Sequence, residues 1–254
     1  MDIKQYNYSR FAEYYDILEL EDYTSLQIIR FLHNTFQKYK ISTVLDFTCG
    51  TGAQTIPLTK RGYKVTACDI NTKMMEMAKR KAKGLSIDFH QGDLRKSYIG
   101  NFDAVIAIFN AIGHLSKKDF NIAVKNVSRN LKDQGIFIFD IFNLDFMIKG
   151  GFITHEYMDK VIDINGLKMV RFNNNTLNKK TGIIKIMQKI YIQKDLEKPQ
   201  IINENWDYQI YSIIELTEIL QKNGFKVLEV FGGPGTKFEN DKSLSLYLVT
   251  QKLN

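Results

Sequence analysis

The chain has 254 residues, a formal net charge of +7 at pH 7 and 44% apolar residues, which suffices to bury the core of one domain with room for an appendage. No stretch has the length and apolarity of a membrane-spanning helix, and residues 1–6 contain no apolar signal-peptide core. With only two cysteines and no evident metal-binding motif, the composition predicts a cytoplasmic protein with free thiols.

The first feature along the chain is a cluster of aromatic residues. In residues 6–16, five of eleven side chains are aromatic, and four of these are tyrosines. Such rings bury large areas and can fasten a segment to the body of a protein. The density therefore predicts a segment that packs on the rest of the chain.

A glycine-containing loop follows the first apolar run. The run begins at Ile41 and ends at Asp46, and the loop after it contains Gly50 and Gly52. This pattern predicts a buried strand that turns sharply into a helix. Glycines can adopt backbone conformations that other residues avoid, and they let a ligand lie directly on the main chain. The loop is therefore a candidate binding site.

The loop differs from the dinucleotide-binding pattern G-x-G-x-x-G. Thr48 occupies the first glycine position of the looser pattern, and the third position after Gly52 is Thr55. A carboxylate at Asp46 would repel a pyrophosphate, whereas it suits a ligand with an ammonium group. S-adenosylmethionine carries such a group at its methionine end.

Three more strand-like runs end in polar loops. Asp69 closes the run 63–68, Asp93 follows the run 85–89, and the run beginning at Phe102 leads into a loop at Asn110. Because the carboxyl ends of parallel strands share one edge of a sheet, four loops are expected to meet there. At that edge Asp69 is placed to grip ribose hydroxyls with charge-assisted hydrogen bonds, although it or Asn71 could instead cap the next helix.

These motifs resemble those of the class I S-adenosylmethionine-dependent methyltransferases, over about residues 8 to 140 and the C-terminal segment. The resemblance implies a Rossmann-like, doubly wound α/β sheet with an antiparallel terminal edge strand. It also implies S-adenosylmethionine as cofactor and S-adenosylhomocysteine as product. The candidate cofactor-binding residues are Tyr15, Asp46, Cys49, Gly50, Gly52, Asp69, Ile70, Met74, Asp93, Leu94 and Phe109.

The resemblance also assigns roles within this set. Asp46, Cys49, Gly50 and Gly52 would hold the methionine portion. Asp69 would bind the ribose. The adenine would lie beside Ile70 and between Asp93, which meets its amino group, and the backbone of Leu94. Met74 is equally expected to fill a gap in the core, because flexible thioethers pack well there.

The alternation of strands and helices continues to about residue 141 and then stops. Helix Lys117–Leu131 and strand Ile136–Ile141 end the alternation, with a turn at Gly135 between them. Hairpin signals follow at Asn165-Gly166 and Thr181-Gly182. The sequence thus predicts an inserted antiparallel β-sheet over 142–211, serving as a substrate roof or as a dimer element.

One face of this insert is predicted to be apolar. Side chains two positions apart in a strand point to the same face, and four isoleucines are spaced in this way: Ile184, Ile186, Ile190 and Ile192. They are expected to pack on the core domain or on another subunit. The sequence leaves a monomer and a homodimer both open.

The chain then returns to the Rossmann-like domain, which takes residues 1–141 and 212–254. Ser212 and Glu215 form a capping box that opens a helix ending near Gly224. The runs Phe225–Phe231 and Leu244–Gln251 would form the terminal hairpin.

Two residues are candidates near the transferred methyl group. Residues 6–16 are similar to the N-terminal lid helix of small-molecule methyltransferases, in which an aromatic hydroxyl covers the methionine end, and this points to Tyr15. His114 lies just past the fourth strand and would be the catalytic general base. In the insert, Trp206 and Tyr208 are expected to face the cleft.

The sequence favours methyl transfer to a small-molecule amine, with several alternatives. O-methylation of a small metabolite and a non-catalytic cofactor-binding module both remain open. A dehydrogenase is disfavoured by the missing third glycine. The basic group at 79–83 is best explained as a solvated helix face, and the loop 110–113 lacks the Asn-Pro-Pro-Tyr-like sequence of base-modifying members. Both observations argue against a nucleic-acid partner.

Overall fold

The computed structural model describes residues 3–10, 12–20, 22–151 and 155–253. The α-helices are α1 (Ala12–Glu19), α2 (Asp22–Lys38), α3 (Thr55–Lys60), α4 (Thr72–Lys81), α5 (Lys117–Arg129), α6 (Leu144–Phe146) and α7 (Ile213–Lys222). Two short 3₁₀ turns are also relevant to the site, Tyr8–Arg10 and Ala111–His114. Phe11, which belongs to the predicted lid, and residues 152–154 of the predicted insert lie outside the described residues. In the described part of the chain, no helix is long and apolar enough to cross a membrane.

The strands form two separate sheets. Their bounds are β1 (Thr43–Asp46), β2 (Lys64–Asp69), β3 (Asp88–Gln91), β4 (Phe102–Ala107), β5 (Leu131–Phe142), β6 (Tyr157–Ile164), β7 (Leu167–Asn178), β8 (Ile183–Lys194), β9 (Gln200–Gln209), β10 (Phe225–Gly233), β11 (Thr236–Lys237) and β12 (Ser245–Lys252).

The larger sheet has eight strands in the order β11-β10-β12-β5-β4-β1-β2-β3. Strands β1 to β5 are mutually parallel, whereas β12 runs antiparallel between β5 and β10. The predicted Rossmann-like sheet is confirmed. The terminal hairpin of β10 and β12 lies at one end of the sheet, as predicted. However, β12 is an internal strand, and the strand at the edge is the two-residue β11.

Helices cover both faces of this sheet. On one face Phe137 and Phe139 of β5 pack with residues of α5 and α7, such as Phe120. On the other face Ile136 and Ile138 pack with residues of α2 and α3. Because both faces are buried, the central strands are nearly continuous apolar runs.

Two predicted boundaries are wrong, the end of the helix by two residues and the start of the strand by five. Helix α5 ends at Arg129, and β5 already begins at Leu131. The strand accommodates this early start through a register shift relative to β4, with Gln134 in the left-handed region at φ 60°. A local apolar pattern does not reveal such an irregularity, because the shift depends on pairing with a distant strand.

The smaller sheet is antiparallel, in the order β6-β7-β8-β9. Its first hairpin turns at Asn165 and Gly166, whose φ angles are 49° and 80°, as in the two-residue turns that Asn-Gly favours. The insert is therefore an antiparallel sheet, as the hairpin signals predicted. The helix after it begins with the predicted capping box of Ser212 and Glu215.

The inner face of this sheet packs mainly against the N-terminal segment. Leu18 of α1 is buried with Met169, Ile190 and Ile192. The Arg171 side chain forms ion pairs with Glu19 and Asp159, and Lys160 Nζ donates to the Leu18 carbonyl oxygen at 2.7 Å. Of the apolar face predicted for the insert, Ile190 and Ile192 thus cover α1, whereas Ile184 and Ile186 pack with Leu144 and Met147. Helix α1 in turn lies next to α4.

Candidate active site

The loop after β1 depends on two glycines. Gly50 and Gly52 have φ angles of +50° and +86°, which favour glycine. A Cβ at Gly52 would also lie only 3.0 Å from Ile56 Cδ1. Thr48 is not among the residues with positive φ, which explains why a threonine is tolerated where the family has a glycine. Its Oγ1 is buried without a protein partner in the described structure and is available to a ligand.

Asp46 connects this loop to the helix that follows. Its Oδ2 accepts a hydrogen bond from Thr55 Oγ1 at 2.6 Å, and backbone N–H groups of Thr48 and Thr55 also point to the carboxylate. Burial raises the pKa of Asp46 to about 7, and the nearby charge of Asp69 adds to the effect. The residue that breaks the dinucleotide pattern, Thr55, is therefore the partner that holds this carboxylate.

Asp69 links the ends of β1 and β2. One carboxylate oxygen accepts the Gly50 N–H and the other accepts the Asn71 N–H, both at 2.7 Å. Asn71, rather than Asp69, caps α4, because its side chain accepts the Met74 N–H at 3.1 Å. Burial raises the pKa of Asp69, whereas hydrogen bonds from the backbone N–H groups of Asn71, Gly50 and Ile70 lower it. A carboxylate has about four lone-pair positions, so these three donors leave room for a ribose hydroxyl.

The residues predicted beside the adenine differ in how freely they could contact it. Ile70 is 62% exposed at the mouth of the loop, as an adenine contact requires. Asp93 instead accepts from Arg95 Nη2 at 2.7 Å and from the Arg95 N–H at 2.9 Å. Arg95 lowers the pKa of Asp93. An adenine amino group would share this carboxylate with Arg95, a partner that sequence patterns did not indicate. Leu94, in the same loop, is buried in the core.

Cys49 and Met74 lie beneath the loop. The Cys49 N–H donates to the Cys68 carbonyl oxygen at 3.0 Å, and burial raises the pKa of the Cys49 thiol. Met74 Cε would lie 3.7 Å from a Cβ at Gly50. Both side chains are buried. They support the glycine backbone from below.

The N-terminal segment lies over the same loop. Asp16 accepts a hydrogen bond from Thr51 Oγ1 and forms an ion pair with Lys81 of α4. Ser9 and Asn71 also hydrogen-bond through their side chains. These contacts place the predicted lid directly on the glycine loop and on both ends of α4.

The backbone at the end of β4 is unusual. Phe109 and Asn110 have φ angles of 66° and 55°, so two consecutive residues with side chains lie in the left-handed region. The 3₁₀ turn Ala111–His114 follows immediately. The Asn110 Oδ1 atom is buried and has no partner among the described residues. Such backbone outliers concentrate at functional sites.

His114 meets two tyrosines from different parts of the chain. Its Nε2 lies 2.6 Å from the Tyr8 hydroxyl and 3.0 Å from the Tyr208 hydroxyl. Burial lowers the pKa of His114 to about 4, so the imidazole is neutral at pH 7. Burial also raises the pKa of both tyrosines, which therefore stay protonated. Sequence reasoning selected His114 but missed Tyr8, which belongs to the noted aromatic segment.

Aromatic rings from the lid and the insert form one wall beside this group. Tyr6 contacts Trp206 and Tyr8 at centroid distances of 4.3 and 4.6 Å, and Tyr15 lies 5.8 Å from Tyr8. Trp206 and Tyr208, which were expected to face the cleft, lie two positions apart on β9 with ring centroids 6.4 Å from each other. The site therefore combines the glycine loop, the turn after β4, the N-terminal segment and the smaller sheet.

Residues 44–135 match the family model described as "Methyltransferase domain". The fold matches that of an S-adenosylmethionine-dependent methyltransferase from Clostridium acetobutylicum ATCC 824, with a TM-score of 0.82 at 19% identity over 97% of this chain and 99% of the other. Residues 44–135 are therefore similar in sequence to methyltransferase domains, and the chain has the fold of S-adenosylmethionine-dependent methyltransferases. These similarities support S-adenosylmethionine as the cofactor.

Two further similarities are to other methyltransferases. The "Putative methyltransferase YqeM" of Bacillus subtilis (strain 168) is 34% identical over 126 residues, which cover 48% of this chain and about half, 51%, of that protein. The amino pentose methyltransferase CalS10 of Micromonospora echinaspora, solved with S-adenosylmethionine bound, has a TM-score of 0.74 at 17% identity over 98% of both chains.

The contacts of Asp69 lead to a prediction about the candidate cofactor site. Replacing Asp69→Ala should weaken S-adenosylhomocysteine binding by about 1 to 3 kcal/mol, because the ribose loses its acceptor and two backbone N–H groups lose their partner. Asp69→Asn keeps one acceptor oxygen and should lie between Asp69→Ala and the wild type. Calorimetric titration gives the affinity, and urea unfolding separates it from stability. An unchanged dissociation constant in both variants would remove Asp69 from the cofactor site.

Proposed function

We propose that this methyltransferase transfers the methyl group of S-adenosylmethionine to the nitrogen of a small-molecule amine. The observation that carries the proposal is the neutral His114 imidazole, held between two tyrosine hydroxyls at the end of β4. When bound, S-adenosylmethionine supplies a methyl group that is already activated as a sulfonium. The protein therefore has to hold the donor and align the acceptor in line with the methyl-sulfur bond.

The residues present fit the donor. Gly50 and Gly52 leave the backbone open, and the Asp69 carboxylate retains lone pairs at the β2 end of the loop. Thr48 Oγ1 and Asn110 Oδ1 are buried polar atoms without protein partners in the described structure, and such atoms usually find a partner in the functional complex. The tyrosine rings of the lid and of the smaller sheet supply aromatic faces that attract a sulfonium cation.

The chemistry of His114 favours nitrogen over oxygen as the acceptor atom. A hydroxyl nucleophile must give up its proton as the methyl arrives, which calls for a competent base. With a pKa of about 4, His114 is a weak base. A neutral amine attacks with its own lone pair and needs only orientation. In the tautomer whose Nε2–H donates to the Tyr8 oxygen, the other ring nitrogen, Nδ1, can accept a hydrogen bond from the substrate amine. Nδ1 is buried without a described partner.

The smaller sheet supports a polar acceptor. Two polar atoms of this sheet, Trp206 Nε1 and Asn175 Oδ1, are buried without partners in the described structure. Their residues are close in the sheet, because Ile186 of β8 pairs with Asn175 on one side and with Trp206 on the other. A donor and an acceptor of this kind suit a hydroxylated amine. The amino pentose substrate of CalS10, which shares the fold over nearly its whole length, supports the same class. We propose accordingly that residues 142–211 roof the acceptor site while residues 1–141 and 212–254 hold the donor.

A panel of matched amines and alcohols tests the acceptor atom. Glycine is paired with glycolate and glucosamine with glucose, and S-adenosylhomocysteine release is measured for each member. We expect turnover only with amines. Turnover of the hydroxyl compound in a pair would favour O-methylation, and tight S-adenosylmethionine binding without turnover of any of a wider range of pairs would favour a cofactor-binding module.

The low pKa of His114 predicts a specific pH dependence. Because the folded-state pKa lies below the ordinary histidine value, His114 stays neutral from about pH 5 upward. The acid limb of kcat/KM should therefore follow the pKa of the acceptor amine, and His114→Gln should lower kcat/KM by a similar factor at about pH 6.5 and about pH 8.5. A limb near pH 6.5 that is present in the wild type and lost in the variant would make His114 a general base.

Gly113 allows the roof to be tested separately from the donor site. A Cβ at Gly113 would lie 2.4 Å from Tyr208 Cδ1, so Gly113→Ala should displace the ring from His114. We expect kcat/KM for the acceptor to fall about 10- to 100-fold, while S-adenosylhomocysteine affinity stays within about twofold.

Tyr208→Ala serves as the control for this steric argument. Because it removes the ring, adding Gly113→Ala to it should cause little further loss. An equal loss of donor affinity in the Gly113 variant would contradict the role of the smaller sheet as an acceptor roof.

A further inference from the structure

Asp140 is a buried carboxylate that the proposed function does not use. It lies on β5 and is only 2% exposed. Its Oδ2 accepts the Asn110 N–H at 3.1 Å, and the Phe109 N–H also points to the carboxylate. Its Oδ1 is buried without a partner among the described residues. Nothing in the sequence pattern distinguished this position, because it lies within an apolar strand.

The two N–H groups that Asp140 receives belong to the left-handed pair after β4. Side chains make this region unfavourable, since Cβ approaches the backbone too closely. Two consecutive residues persist there only where the surrounding structure holds them. A carboxylate that accepts the Asn110 N–H and faces the Phe109 N–H holds both residues in this conformation, and its charge strengthens such contacts.

This backbone leads directly to His114. Asn110 precedes the 3₁₀ turn Ala111–His114, and its carbonyl oxygen accepts the Gly113 N–H at 2.9 Å. The orientation of the Asn110 peptide therefore sets the direction of the turn. At the far end of that turn, His114 Nε2 meets the hydroxyls of Tyr8 and Tyr208.

We propose that Asp140 is a positioning residue for the acceptor half of the site: its carboxylate fixes the left-handed backbone at Phe109 and Asn110 and thereby places His114 between the two tyrosines. The kinetic part of this inference rests on the proposed function, whereas the structural part does not.

The surroundings of Asp140 support a positional role rather than a contribution to the core. Asp140 faces the apolar cluster of Ile138 and Tyr247, and it pairs directly with Tyr247 of β12. An apolar side chain would suit that environment better, since burying a carboxylate is costly. Burial raises the pKa of Asp140 to about 7. The oxygen that faces Asn110 can accept the N–H whether the group is ionised or not, so the hold does not depend on titration.

Two variants show whether the role of Asp140 depends on its hydrogen-bonding oxygen or on its charge. Asp140→Asn keeps an oxygen for the Asn110 N–H, and Asp140→Val removes it. The readout is the side-chain ¹⁵N spectrum of the histidines, of which the chain has four, with His114→Gln used to assign the His114 signals. We expect the Val variant to shift the His114 signals selectively and the Asn variant to retain them. This measurement requires no acceptor, so it is independent of the proposed function.

Kinetics on an amine identified in the panel provide the second readout. The Val variant should lose about 10- to 100-fold in kcat/KM for the acceptor, the scale expected for a misplaced group. The Asn variant should recover most of the activity. Unchanged His114 signals in the Val variant, or equal damage in both variants, would overturn the proposal.

A second substitution covers the case in which the Val variant folds poorly. Glycine adopts the left-handed region without a side-chain penalty, so Asn110→Gly should reduce the need for Asp140. Combining it with Asp140→Val should restore folding and bring the His114 signals back towards those of Asn110→Gly alone. If the double variant shows no recovery in either respect, Asp140 does not act through this backbone and the inference fails.

Discussion

The Asp69 carboxylate joins the two loops on which the candidate site is built. One oxygen binds the Gly50 N–H and the other binds the Asn71 N–H, so the ends of β1 and β2 are held at a fixed separation. Asn71 then caps α4 and hydrogen-bonds to Ser9 of the N-terminal segment. The glycine backbone, the start of α4 and the position of the lid therefore all depend on one buried acid.

The N-terminal segment connects the glycine loop and α4 to the smaller sheet. Asp16 contacts the glycine loop and α4 through Thr51 and Lys81, while Leu18, two residues later, packs on the inner face of the smaller sheet. Tyr8 places its hydroxyl on His114. A short segment thus completes both halves of the site, and a movement of this segment would open both at once.

The sequence was sufficient where the determining interactions are local. The glycine loop, the acids at the strand ends and the Asn165-Gly166 hairpin follow from backbone preferences of a few adjacent residues. The shared face of Ile184, Ile186, Ile190 and Ile192 likewise follows from the period of a strand. These patterns predicted both sheets and the edge at which the loops meet.

The remaining features depend on pairs that lie far apart in the chain. Tyr8 and Tyr208 meet at His114 across separations of 106 and 94 residues, and no local pattern encodes such a contact. Asp140 was hidden in an apolar strand whose partner loop lies 30 residues away. The pairing of Arg95 with Asp93 is local, but its geometry depends on the turn after β3 rather than on spacing alone.

Hydrogen exchange measured by mass spectrometry, with and without S-adenosylhomocysteine, tests the central claim most directly. If the N-terminal segment closes the donor site, the ligand should slow amide exchange both in the glycine loop, residues 48–55, and in α1, residues 12–19. NAD, which lacks the methionine portion, should protect neither region. Protection of the loop without protection of α1 would contradict the lid, and equal protection by NAD would contradict the assigned donor site.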